Sequence, residues 1–156
     1  MATYALNIDE FSNNDYALIG IHTVLSEYKL AYLLNKILKI KFSKSTYNLD
    51  FTHQNSQSSY SVYEYVDMVL DYEWFLIANV YKSSQKTITT SLFNESDTIT
   101  YLVPEKKRVD FFIKIQGDFD LEYIVKVIEK INQIPQIITS YEIEVEHLKS
   151  KDFLIF

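Results

Sequence analysis

Two carboxylates mark the most distinctive stretch of this chain. Glu105 and Asp110 lie in Leu102-Val-Pro-Glu-Lys-Lys-Arg-Val-Asp-Phe-Phe-Ile-Lys-Ile115, around Pro104 and a run of basic residues. A carboxylate pair can serve as general acid and base when a pocket raises the pKa of one member. The competing role is structural, with both groups accepting bonds from turn amides or from Arg108, and that role is favoured here. Glu142, Glu144 and Glu146 alternate with Tyr141, Ile143 and Val145. Three carboxylates in a row suit a hard cation, but the same pattern describes the wet face of a half-buried strand. Lys114 and the Lys39/Lys41 pair are the candidates to neutralise it. His22, His53 and His147 are scattered. His147 continues the apolar face of Tyr141, Ile143 and Val145 and reads as a half-buried sheet residue, whereas His53 sits at a polar loop and reads as solvated.

The absences are as informative. Gly20 and Gly117 are the only glycines, so no glycine-rich phosphate cradle exists, and the usual hydrolase and nucleotide motifs are missing. With no cysteine there is no disulfide, thiolate metal site or thiol nucleophile. No catalytic residue, metal ligand set or cofactor site is therefore assigned, and the balance leans away from an enzyme.

Recognition chemistry is better represented. The chain holds 13 tyrosines in 156 residues. On a helix at 100° per residue, Leu30, Leu33, Leu34 and Ile37 form a core stripe, while Tyr28, Tyr32 and Asn35 fall on a second stripe roughly opposite. Lys29 and Lys36 flank it. Two phenols and an amide in line suit a protein partner, because tyrosine combines apolar area with a polar tip. The terminal Phe153-Leu-Ile-Phe156 is too apolar to stay in water, at about 1.5–3 kcal/mol for each such side chain, and must dock. The motif carboxylates Glu105 and Asp110 join Tyr28, Tyr32, Asn35, Phe153 and Phe156 as the candidate interface set.

The positioning elements follow from hydrophobic period. Tyr4 to Ile8 and Tyr16 to His22 read as strands, with Asn13-Asn14-Asp15 turning between them. A helix is predicted from Leu25 to Leu38, followed by a strand over Lys39 to Ser43. Gln54 to Ser59 reads as a loop. Tyr60 to Leu70 and Trp74 to Tyr81 read as strands around a bend at Asp71 to Glu73. Thr98 to Val103 and Val109 to Ile115 are predicted as a further strand pair joined through Pro104, which cannot donate to a ladder and belongs at a strand end. A second helix runs from Gly117-Asp118 to just before Pro135, with Asp118 as N-cap and Leu121, Ile124, Val125, Ile128 and Ile131 as its buried stripe. Ile137 to Val145 is the last strand. The order implies one domain over residues 1–156, an α+β fold with a mainly antiparallel sheet and two α-helices packed on one face. The other face is left to solvent or to a second subunit.

A formal net charge of −6 disfavours nucleic acid and anionic membranes. Lys29 to Lys44 is a basic stretch and Asp50 to Glu73 an acidic one, and the two are expected to neutralise each other across the sheet. No apolar run reaches the ~20 residues of a membrane helix, and nothing resembles a secretory leader, so a soluble cytoplasmic protein is expected.

The proline stretch resembles the motif that names the IPExxxVDY family, a small bacterial family of unassigned function. Val103, Pro104 and Glu105 stand for Ile-Pro-Glu, Lys106, Lys107 and Arg108 fill the free places, and Val109 and Asp110 match. Phe111 replaces Tyr, so no role for that hydroxyl carries over. Leu18-Ile-Gly-Ile21, the Tyr28 to Asn35 segment and Asp152-Phe-Leu-Ile-Phe156 also look like that family. The resemblance implies no reaction. The leading expectation is a non-enzymatic interaction or scaffold protein acting as a homodimer, or bound to another cytosolic protein. The alternatives are a small-ligand sensor with a tyrosine-lined pocket and, more weakly, an RNA-binding module built on Lys29 to Lys44.

Overall fold

The structure, a computed structural model, describes residues 16–53, 56–87 and 94–156, without the side chains of 53, 84–87 and 94–96. The strand expected at Tyr4 to Ile8, the turn at Asn13 to Asp15 and the His53 side chain fall outside the described residues. The strands are β1 (Tyr16–Thr23), β2 (Ser43–Lys44), β3 (Leu49–His53), β4 (Ser56–Tyr60), β5 (Val62–Asp67), β6 (Tyr72–Ala78), β7 (Val80–Thr87), β8 (Asn94–Tyr101), β9 (Phe111–Gln116) and β10 (Ile137–Ile143). Helices α1 (Glu27–Leu38) and α2 (Leu121–Asn132) follow β1 and β9.

The fold is α+β. Six strands form an antiparallel sheet in the order β10-β1-β9-β6-β5-β2. Its central strands are apolar runs because both faces are buried. Ala17, Ile19 and Ile21 of β1, Trp74 and Leu76 of β6, and Phe111, Ile113 and Ile115 of β9 pack against the two helices. Leu18, Phe75, Ile77 and Phe112 point the opposite way, into a second core. Gly20 faces that second core, where an added Cβ would lie 2.7 Å from Ile143 Cδ1. A close approach of chain to chain therefore accounts for the glycine.

The far face is not left to solvent or to another subunit. Tyr60, Leu102, Val103, Val145, Leu148 and Leu154 of the same chain cover it. The sequence hides this because the covering pieces are short, irregular and far apart along the chain.

Several boundaries shift for local reasons. Lys39 to Phe42 is a return loop and the strand is confined to Ser43–Lys44: Lys39 takes a left-handed conformation (φ 55°), and Asn35 grips the backbone of Phe42 at both ends of its amide. Phe42 N–H donates to Asn35 Oδ1 at 2.7 Å, and Asn35 Nδ2 donates to the Phe42 carbonyl at 3.1 Å. Residues 56–59 belong to strand β4, which pairs with β3. A ladder is made by backbone groups, so a serine-rich segment can carry it. Asp67 Oδ1 accepts from the amides of Val69 and Leu70, and Asp71 has φ 57°, which ends β5 early and starts β6 at Tyr72. The segments on either side of Pro104 do not pair with each other. β8 pairs with β7, and β9 lies between β1 and β6.

Helix α2 is rotated from its predicted setting. Asp120, rather than Asp118, caps it by accepting from Tyr123 N–H at 3.0 Å. Tyr123 packs with Tyr72 (ring centroids 5.1 Å apart), Phe119 (6.2 Å) and Trp74 (6.4 Å). That aromatic anchor buries Ile124, Val127 and Ile131. It turns Leu121 and Val125 outward, at 77% and 50% exposure.

Candidate functional site

Both motif carboxylates are spoken for by backbone. Pro104–Lys106 form a single 3-10 turn. From it, Glu105 accepts from Ser150 N–H at 2.8 Å and from Ser150 Oγ at 2.9 Å, tying the motif to the C-terminal segment. Burial opposes ionisation of Glu105, but the bonds from Ser150, from its own amide and from Lys149 outweigh it and hold the carboxyl below its usual range. Asp110 Oδ2 accepts from Thr23 N–H at 2.9 Å, at the end of β1. The two carboxylates thus secure different segments, which is the arrangement of a connector and not of an acid–base pair.

The centre of the connector is Asn79, a fully buried residue between β6 and β7 that sequence reasoning passed over. Its Nδ2 donates to the carbonyls of Lys106 (2.9 Å) and Val109 (2.8 Å), and its Oδ1 accepts from Val103 N–H at 2.8 Å. Its backbone also bonds Leu102 and Asp110. A buried amide with this many partners is the device that carries the chain from one layer to the other at Pro104. The only sequence signal was a polar residue inside an apolar run, Ile77-Ala-Asn-Val80.

Lys114 takes a role that its sequence pattern does not suggest. It was expected to neutralise Glu142, Glu144 and Glu146, yet it lies buried beneath the C-terminal segment. Its Nζ donates to the Leu154 carbonyl at 2.5 Å and sits over the rings of Phe156 (4.3 Å), Tyr16 (4.7 Å) and Phe75 (5.7 Å). Alternation on β9 put it on the far side from Ile113 and Ile115, as predicted, but that side is dry. Desolvation lowers its pKa to about 8, with the Glu73 charge partly opposing. The tail that covers it turns through Lys151–Leu154, burying Leu154 completely while Phe156 packs against Phe75 at 5.0 Å. Phe153 meets Phe51 at 4.9 Å but keeps one side in solvent.

The three glutamates do not form a row. β10 stops at Ile143, and Val145–His147 is a 3-10 turn that breaks the alternation. His147 is exposed, 3.4 Å from Glu144, rather than half-buried in the sheet. Among the described residues no group of three metal-ligating side chains converges, and no helix is long and apolar enough to cross a membrane. The basic and acidic stretches meet where β2 lies beside β5, and no ion pair joins them among the described residues. Lys44 instead lies 5.3 Å over the Tyr63 ring and donates to Asn48 at 3.2 Å.

Met68 and Val69 at the β5–β6 turn, Ile138 and Ile155 stay open to solvent, as does the outer face of α1. Tyr28 and Tyr32 are 62% and 66% exposed. With Leu25, Lys29, Leu33 and Gln136 they line a mainly apolar hollow of about 490 Å³. Asn35, the third member of the predicted stripe, is turned to Phe42. One further polar group stands alone: the indole N–H of buried Trp74 has no acceptor among the described residues.

No family model matches this chain, and no curated protein is similar to it.

Glu105→Gln is expected to loosen the tail by about 1 kcal/mol, because a neutral amide replaces a charge-assisted acceptor. Faster hydrogen exchange at Lys151 to Phe156, with the β1/β9 core unaffected, would be the readout. The same anchoring should fade in acid. A carboxyl held low stabilises above its unfolded pKa near 4.5 and loses that contribution as pH falls through the folded value.

Proposed function

We propose that this chain is a non-enzymatic interaction protein that acts in the cytoplasm by binding protein, a second copy first among its partners, through the outer face of α1. The observation that carries this reading is the exposure of Tyr28 and Tyr32 above a helix whose other side is already fully used. A tyrosine buries roughly 150–250 Å² when covered, so the pair offers a compact apolar anchor for a partner. In the tail Leu154 and Phe156 find cover within the chain, while Phe153 and Ile155 stay exposed. The engagement of Glu105 and Asp110 with backbone supports a non-catalytic role for the proline motif. Membership of the IPExxxVDY family belongs to the same proposal and rests on Pro104, Glu105, Val109 and Asp110.

The test is Tyr28→Ser combined with Tyr32→Ser. These are surface changes, so the melting curve should move by no more than about 0.5 kcal/mol. Sedimentation of the wild type over roughly 1–100 µM is expected to show association that the double variant lacks. A wild type that stays monomeric, with the same cytosolic proteins retained by wild type and variant, would remove the reading.

A tyrosine-lined small-ligand site is the second reading. The apolar hollow beside Tyr28 and Tyr32 favours it. A metabolite bound there would raise the melting temperature, and Tyr28→Ser with Tyr32→Ser would abolish the shift.

A further inference from the structure

Resting on the α1 reading above, we propose that the occupant of the α1 face is helix α2 of a second copy, packed reciprocally so that each α1 covers its partner's α2 about a two-fold axis. The two helices lie side by side on one sheet face. They are antiparallel, because β1 and β9, from which they emerge, run in opposite directions. Helix α2 returns to the end where α1 begins, where Thr23 Oγ1 donates to the Gln136 carbonyl. A two-fold axis parallel to such a helix pair, lying above it, sets each α1 over the other copy's α2 and keeps neighbours antiparallel. The contact is then isologous and closed.

The two outer faces are complementary in shape of pattern and in sign. Helix α1 offers the aromatic pair Tyr28 and Tyr32 with Lys29 and Lys36 exposed beside it. Helix α2 offers the aliphatic pair Leu121 and Val125 with Glu122 and Glu129 exposed beside it. Both apolar pairs are spaced i, i+4 and both charge pairs i, i+7, so each charge pair spans ~10 Å along its helix. In the antiparallel register Lys29 meets Glu129 of the partner subunit and Lys36 meets Glu122 of the partner subunit, with Tyr32 and the partner's Val125 level with each other between them. On the α2 wheel the two glutamates separate the aliphatic pair from Lys126 and Lys130, which keeps like charge away from the α1 lysines. Glu122 also pairs with Lys126 within its own helix at 3.1 Å. That pair is exposed, so it is worth little and can be shared. Each helix is ~18 Å long, so the buried patch is at the small end of specific interfaces, which matches a dimer that forms in the micromolar range.

Charge reversal tests the assignment on the full chain. Lys29→Glu with Lys36→Glu makes both faces acidic, and Glu122→Lys with Glu129→Lys makes both basic. Each double variant alone is expected to self-associate roughly 100-fold more weakly in sedimentation equilibrium. Mixing the two should restore a 1:1 heterodimer, because each acidic helix then faces a basic one, and the fourfold variant should regain a homodimer. Circular dichroism melts confirm that all chains are folded. A dimer indifferent to every reversal overturns the proposal, as does failure of the mixture to associate. If Tyr28→Ser/Tyr32→Ser abolishes association while the reversals leave it intact, α1 still docks a partner and only the α2 assignment falls.

Discussion

Asn79→Ala is expected to be the most damaging single change in the molecule. It strands one amide donor, Val103 N–H, and deprives the Lys106 and Val109 carbonyls of a partner, all within or beside the core. Each buried group left unsatisfied costs about 1–3 kcal/mol, so a loss of about 3–5 kcal/mol is expected. That is a large part of the stability of a typical domain, and it corresponds to a fall in melting temperature of about 10–15 °C. Differential scanning calorimetry reads it directly. A loss under about 1 kcal/mol would show that water replaces the side chain and that the connector does not depend on it. Asn79→Asp separates charge from shape: it keeps the acceptor for Val103 but turns the donor to two carbonyls into an acceptor, and should be at least as harmful.

Lys114 should give the protein an unusual dependence on alkaline pH. Its folded pKa of about 8 lies below the ordinary 10.5. Between those values the unfolded chain binds more protons than the folded one, so stability rises with pH. The gain from pH 7 to 9.5 should be about 1–2 kcal/mol, before tyrosine ionisation intervenes. Tyr16 works in the opposite sense. Burial, aided by the Asp152 charge, raises its phenol pKa, and that contribution is lost as pH rises past 10. Denaturant midpoints at pH 7, 8, 9 and 9.5 test the slope, and Lys114→Met should flatten it. Methionine removes the buried charge but leaves the Leu154 carbonyl without its donor. At pH 7 these terms oppose each other, because a buried cation is expensive to desolvate. A slope that persists in Lys114→Met would assign it to another group.

Much of the architecture was legible from local pattern. The uncharged run Leu18 to Ile21 could only be an inner strand. The 3.6-residue period of α1 placed Leu30 and Leu34 inward and Tyr28 and Tyr32 outward, and Lys126 was placed beside Glu122. Each of these features depends on neighbours within a turn or two. The failures share the opposite property. Helix α2 was given the wrong buried stripe because Tyr123 answers to Tyr72 and Trp74, some fifty residues earlier. Lys114 looked like a surface charge because its rings come from Tyr16, Phe75 and Phe156.

Residue types and spacing by themselves determined that this is an α+β chain with an antiparallel sheet, two helices, no glycine-rich cradle and no thiol chemistry. Those properties are set by backbone preference and by which atoms are present. Only the tertiary structure decided where the polar groups spend their bonds: Glu105 on Ser150, Asp110 on Thr23, Asn79 on the proline connector, Lys114 on Leu154. It also decided that Leu154 and Phe156 of the tail have a seat within their own chain, while Tyr28, Tyr32, Leu121 and Val125 have none. Burial depends on which distant segments arrive at a surface, and that is a property of the assembled layers, not of any stretch of sequence.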